Sequence, residues 1–163
     1  MPHSVILPDG HEVSDDRTRI DMEFVHASLA EVYWSAGRSR AVTERSWANC
    51  LCLGLYAPDG QIVGFGRLLT DYALRAHLGD VFVRPSARGR GLSKALVETV
   101  LNHPELTTVT HWTLTTKDAH GLYARYGFRA AELDENWMTL VRPPPADGSH
   151  LPWRSAPAAF GSN

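Results

Sequence analysis

The run "VFVRPSARGRGLSKALVETVL", residues 81–101, changes character three times. An apolar β-type stretch stops at Pro85, a loop rich in arginine and glycine follows, and apolar residues at helical spacing begin near Leu92. Such a junction sets a helix N-terminus beside a strand end, and its glycines let the backbone approach a ligand closely. Arg84, Arg88, Arg90 and Lys94 add positive charge in a chain whose formal net charge is −2. So local a concentration of cations suits a polyphosphate-bearing ligand better than a solvated face. The slightly acidic balance argues against a nucleic-acid partner, since no overall field attracts one.

Two familiar phosphate motifs do not fit. A P-loop needs GxxxxGK[ST], but Lys94 follows Ser93 rather than a glycine. The dinucleotide fingerprint GxGxxG starts at Gly89 and Gly91, yet its third glycine position is Lys94. Some ~20 residues further on stand His111 and Trp112, where that motif needs an acid. A general anion cradle remains.

The surrounding pattern predicts a first helix over residues 21–37, with Asp21 as N-cap and Gly37 as stop, and a short second helix over 39–48. Strands are expected at 50–57 and 62–70 around the turn Pro58-Asp59-Gly60, then at 78–83. A helix over 92–101 follows, then a strand over 109–115 and a short helix over 119–126, capped by Asp118 and ended by Gly127. Two further strands are expected, one from Phe128 and one at 137–141. This order implies an α/β fold, a mixed sheet with helices on its faces. Residues 1–142 read as one domain and 143–163 as a proline-rich tail, whose Trp153 and Phe160 are expected to anchor it to the body or to a second subunit of a homodimer.

Cys50 and Cys52 lie on one face of an apolar strand, where a bridge between them would need poor geometry, so they read as core thiols of a reduced, cytoplasmic protein. The N-terminus carries no basic, then apolar, leader pattern. No segment approaches the ~18 apolar residues of a membrane span. Isolated His77, His111 and His120 form no HxH or HExxH pattern, so no metal site is expected.

Val83, Pro85 and "RGRGLS" at 88–93, followed by "HGLYARYGF" at 120–128, resemble the acetyl-CoA-binding segment and final helix of the GNAT N-acetyltransferase superfamily. The resemblance covers residues 21–141, with Ser93 standing where the first motif usually has glycine or alanine. It implies the GNAT fold, a mostly antiparallel mixed sheet whose two central parallel strands splay apart, with helices on both faces. It also implies that Val81, Phe82 and Val83 pair with the pantetheine arm of acetyl-CoA. Arg88, Gly89, Arg90, Gly91, Leu92, Ser93 and Lys94 would hold the pyrophosphate, Arg88 bracing the turn as much as touching phosphate.

The same resemblance gives Tyr123 the role of acid toward the departing thiolate in acetyl transfer to a primary amine of a small molecule. Many members use a glutamate as base at a place held here by Gly79. Asp80 stands beside it, and a β-bulge would turn its side chain toward the cleft. Asp80 is therefore the expected base, with Asp71 or water as alternatives. An acyl-CoA sensor and a peptide acetyltransferase stay open as other readings. In this family the first two helices and their loop hold the acceptor. Tyr33, Trp34 and Trp47 there are expected to pack mainly inward, with lining of an acceptor pocket as the alternative. The neighbouring arginines suit an acidic or carboxylate-bearing acceptor.

Overall fold

The same tripeptide, Pro-Asp-Gly, closes two hairpins, and these begin the sheet. A computed structural model of the chain describes residues 1–131 and 138–140. At Pro8-Asp9-Gly10 the Asp9 carboxylate accepts from the His11 N–H (3.2 Å), and at Pro58-Asp59-Gly60 Asp59 accepts from Gln61 (3.0 Å). Gly10 and Gly60 take φ of 86° and 83°, a region that favours glycine. The first turn joins β1 (Ser4–Ile6) to β2 (Glu12–Ser14), a hairpin the sequence reading did not assign. The second joins β3 (Leu51–Tyr56) to β4 (Ile62–Thr70), as expected.

These strands continue through β5 (Arg75–Val83) to β6 (His111–Leu114) in a six-stranded sheet of order β1-β2-β3-β4-β5-β6. Every pairing is antiparallel except β5 with β6, and the parallel pair requires a crossover, which α3 (Leu92–Leu101) supplies. Strand β5 begins earlier than the expected residue 78. A tight turn after Thr70 returns the chain at once. There the Asp71 carboxylate accepts from the N–H groups of Ala73, Leu74 and Arg75 at 2.8 to 3.0 Å. Strand β6 is shorter than its expected span of 109–115.

Helix α1 (Met22–Ala30) starts where expected, its Asp21 cap accepting from Glu23 and Phe24. It does not reach Gly37. Val32 is extended, a 3-10 turn (Tyr33–Ser35) follows, and the Ser35 hydroxyl donates to the Leu29 carbonyl at the helix end. A hydroxyl that satisfies a terminal carbonyl competes with helix continuation. Gly37 instead turns the chain at φ 77° into α2 (Arg40–Ala48), capped by Ser39.

Helices α1 and α2 pack on the sheet face that carries Cys52, Phe65 and Phe82. Val25, Leu29, Trp47, Cys50 and these three residues form one buried cluster. Phe65 lies at its centre, stacked on Phe82 (5.2 Å) and edge-on to Trp47 (5.3 Å) and Phe24 (5.9 Å). Both cysteines are free and buried, and burial pushes the Cys52 thiol up to about 12. Alternation turns Leu51, Leu53, Leu55 and Leu68 to the other face. Helix α3 contributes buried Leu92, Leu96, Val97 and Val100 and touches β2, β3, β4 and β5.

The chain divides into two compact units, Met1–Leu122 and Tyr123–Asn163. Helix α4 (His120–Ala124) ends in the second. In that unit Gly127 takes φ 86°, the Phe128 N–H returns to the Tyr123 carbonyl (3.3 Å), and the two rings meet edge to face at 5.9 Å. Residues 128–131 form no strand. Residues 138–140, the middle of the strand expected at 137–141, form no strand either; the two ends of that span, the boundary expected at 142, and the tail with Trp153 and Phe160 lie outside the described residues.

Phe65→Ala is expected to cost about 3–5 kcal/mol in urea unfolding, because it empties the middle of the aromatic cluster; a loss under about 1 kcal/mol would contradict this packing. The Asp71 turn makes a separate prediction. Three backbone N–H groups, that of Arg75 first, hold its carboxyl down at about 2 against an ordinary 3.8. A lowered value stabilises the turn fully above the ordinary pKa, and that contribution is lost as pH falls through the folded value. Amide signals of Ala73, Leu74 and Arg75 should therefore titrate with a midpoint near pH 2 in NMR; a midpoint at 3.8 would show the turn open.

Candidate active site

Pairing between β5 and β6 runs from Arg75↔His111 to Leu78↔Leu114 and ends there. Beyond it, residues 79–83 of β5 pair with β4 alone, so their other edge has no strand partner among the described residues. At the same point β5 bulges. Phe65 pairs with Phe82 and Arg67 with Gly79, which leaves Asp80 and Val81 opposite Gly66. Asp80 takes φ 51°, unusual for a residue with a Cβ. The bulge anticipated beside Gly79 is present.

It turns the Asp80 side chain toward two arginines. Arg38, in the loop before α2, donates from Nη1 (2.7 Å) and Nη2 (3.2 Å), and Arg67 of β4 donates from Nε (2.7 Å). The Asp80 side chain is 2% exposed, against 20% for Arg38 and 18% for Arg67. Burial works to raise the Asp80 carboxyl, but the hydrogen bonds from Arg38 and Arg67 prevail and hold it below the ordinary carboxylate value. Arg67 also donates from Nη1 to the Cys50 sulfur (3.5 Å). Burial works against its charge, yet Asp80 outweighs this and raises its pKa. His77 bonds through Nδ1 to the Thr113 hydroxyl (2.9 Å); burial and then Arg67 lower its pKa, so it is neutral at pH 7.

The strand leads into the loop. The Arg84 N–H donates to Val63 (2.8 Å), and the Arg88 Nε donates to the Val83 carbonyl (2.9 Å), so Arg88 braces the turn. Gly89 and Gly91 take φ of 82° and 76°, and Gly91 is the N-cap of α3 without a side-chain cap bond. A Cβ at either would meet nothing within 4 Å. These glycines serve the backbone turn and leave its outer side open. Among the described residues, no bond uses the N–H groups of residues 90–93. Arg88, Arg90 and Lys94 are exposed, Ser93 and Val81 half-buried, and Phe82, Val83 and Leu92 buried.

The other expected residues fall as follows. Asp71 is spent on its own turn. Tyr123 is a buried residue of the second compact unit. Trp47 is core, whereas Tyr33 and Trp34 are 51% and 39% exposed, contrary to inward packing. The Tyr33 hydroxyl accepts from the Lys117 N–H (3.1 Å), which ties the loop between α1 and α2 to the segment after β6. Sequence reasoning missed Arg67. Its signal was a lone arginine in the apolar run "IVGFGRLLT", where a charge has to find a partner.

Comparison with known proteins gives this geometry a family. The model of the Acetyltransferase (GNAT) family matches residues 20–128. A crystal structure of a GNAT-family protein from Xanthomonas campestris pv. campestris is 40% identical, with a TM-score of 0.76 over 88% of this chain and 96% of that one. A structure from Deinococcus radiodurans is 25% identical, with a TM-score of 0.60 over 87% and 94%. The GCN5-related N-acetyltransferase 3, chloroplastic, of Arabidopsis thaliana is 42% identical over 43 residues, 26% of this chain and 18% of that protein. The chain thus spans under a fifth of the length of that curated relative. With a parallel β5–β6 pair and a glycine-rich helix start, the chain belongs to the GNAT family of acetyltransferases and has the α/β GNAT fold.

Proposed function

We propose that this chain moves an acetyl group from acetyl-CoA to a primary amine of a small molecule by direct attack in a ternary complex. The observation that carries the reading is that residues 79–83 of β5, one edge of which has no strand partner among the described residues, are followed within a short turn by the N–H groups of residues 90–93, which no bond among those residues uses. Acetyl-CoA, which the family generally uses, supplies a thioester whose acyl carbon accepts an amine and whose thiolate leaves. The chain's residues fit it. Backbone groups of Val81, Phe82 and Val83 are available to pair with a pantetheine arm. Gly89, Arg90, Gly91, Leu92, Ser93 and Lys94 present N–H groups, a helix start and side-chain charge to a pyrophosphate, with Arg88 holding the turn in shape.

Tyr123 is the proposed donor of a proton to the departing sulfur, a role its phenol O–H can fill. Asp80 was expected as base, and its surroundings suggest another task. Two guanidiniums stabilise its ionised form, and a carboxylate so stabilised takes up a proton poorly. We read Asp80 as the anchor that fixes the bulge and both arginines, and the amine's proton as passing to solvent.

Isothermal titration should show acetyl-CoA binding in the micromolar range, weakened about tenfold or more by Gly91→Val, since a β-branched residue at that φ costs about 1–2 kcal/mol; no binding to the unaltered chain would end the cofactor proposal. Tyr123→Phe should keep that affinity and lower kcat about 100-fold. Unchanged turnover would make Tyr123 structural. Asp80→Asn should lower turnover by a factor that stays constant from about pH 7 to 9.5, because geometry is lost rather than a proton acceptor. A deficit that shrinks as the amine deprotonates would return Asp80 to the role of base.

A further inference from the structure

The bulge holds more positive charge than its own structure needs. One carboxylate, Asp80, faces two guanidiniums, Arg38 and Arg67, and among the described residues neither arginine ion-pairs with any other acid. A single arginine would neutralise Asp80. The second leaves a net charge of +1 on side chains that are four-fifths buried, an arrangement that costs free energy unless an anion completes it.

One donor of Arg67 is left over for that anion. Its Nε serves Asp80 and its Nη1 serves Cys50, while Nη2 has no hydrogen-bond partner among the described residues. Directly across the strand pair stands Gly79, and a Cβ built there would lie 3.7 Å from that Nη2. A side chain there would begin in van der Waals contact with the guanidinium edge. Glycine leaves it clear, although its backbone needs no positive φ. His77, next along the same face, is neutral and adds no charge. Arg38 arrives from the loop that also carries the exposed rings of Tyr33 and Trp34.

We infer that the acceptor is an amine that also bears a carboxylate, and that Arg67, with Arg38 beside it, holds this carboxylate at the bulge. The inference rests on the acetyl-transfer reading for the amine and on the arginine geometry for the carboxylate. A planar monoanion matches both the net charge and the in-plane donors of a guanidinium; a phosphate would bring a second negative charge.

Turnover of acetyl-CoA is measured with a pool of free amino acids, their carboxamides, the decarboxylated amines, and phosphoethanolamine. In parallel, the Arg67 Nε–H NMR signal is followed as the same pools are added without acetyl-CoA. The carboxylate amines are expected to exceed their amides by about 10- to 100-fold in kcat/KM, the range of a charge-assisted hydrogen bond, and to shift the Arg67 signal saturably. Arg67→Gln should erase this preference with acetyl-CoA affinity intact. Gly79→Glu, which leaves Arg67 and Asp80 in place and supplies the anion from within the chain, should erase it too. Amides equal to acids in both assays, or phosphoethanolamine outperforming the amino acids, would overturn the carboxylate clamp while leaving acetyl transfer standing. Saturable, Arg67-dependent binding of the acids with no turnover of any amine would support the clamp and overturn the transferase reading instead.

Discussion

A single irregularity in β5 organises this molecule: two residues, Asp80 and Val81, stand where the ladder has room for one. Asp80 pays for the bulge with a left-handed backbone at φ 51°, a conformation worth about 1–3 kcal/mol of strain in a residue with a Cβ. Three hydrogen bonds from two arginines offset it. Those bonds come from two elements, Arg67 from the neighbouring strand and Arg38 from the loop between the first two helices. The bulge therefore fixes the sheet and the loop between the first two helices to one carboxylate.

The consequences run along the chain in both directions. Before the bulge, β5 pairs with β6; after it, the ladder with β6 has ended and one edge of β5 has no strand partner among the described residues. Further on, Val83 accepts from Arg88, and that bond holds the start of a loop whose two glycines leave the helix N–H groups open. The unpaired edge of β5 is thus followed, after one short 3-10 turn, by the N–H groups at the start of α3. A thioester joined to a pyrophosphate by a long amide-bearing arm has those two needs in that order.

Much of this was legible in the sequence because local chemistry dictated it. Asp21, Ser39 and the glycines at 89 and 91 act through neighbours a few residues away, and the elements around them appear where expected. The turn Pro8-Asp9-Gly10 was equally local, being a copy of Pro58-Asp59-Gly60, and it marked the β1–β2 hairpin for anyone comparing the two. Other features depended on distant partners. Helical spacing continued through Tyr33, but a serine hydroxyl and an extended Val32 end α1 early. Asp80 was noticed as a carboxylate near the cleft. Its partners lie 42 and 13 residues away, and they decide whether it takes a proton or holds two charges in place. Arg67 went unassigned because its meaning comes from Gly79, a residue whose contribution is a missing side chain.

The most direct test is a crystal structure of the chain with CoA bound. The account predicts the pantetheine arm along the free edge of residues 81–83, the pyrophosphate within hydrogen-bond distance of the N–H groups of residues 90–93, and the sulfur within reach of the Tyr123 hydroxyl. Density for CoA elsewhere on the chain, with the 79–83 edge and the 90–93 amides untouched, would contradict it.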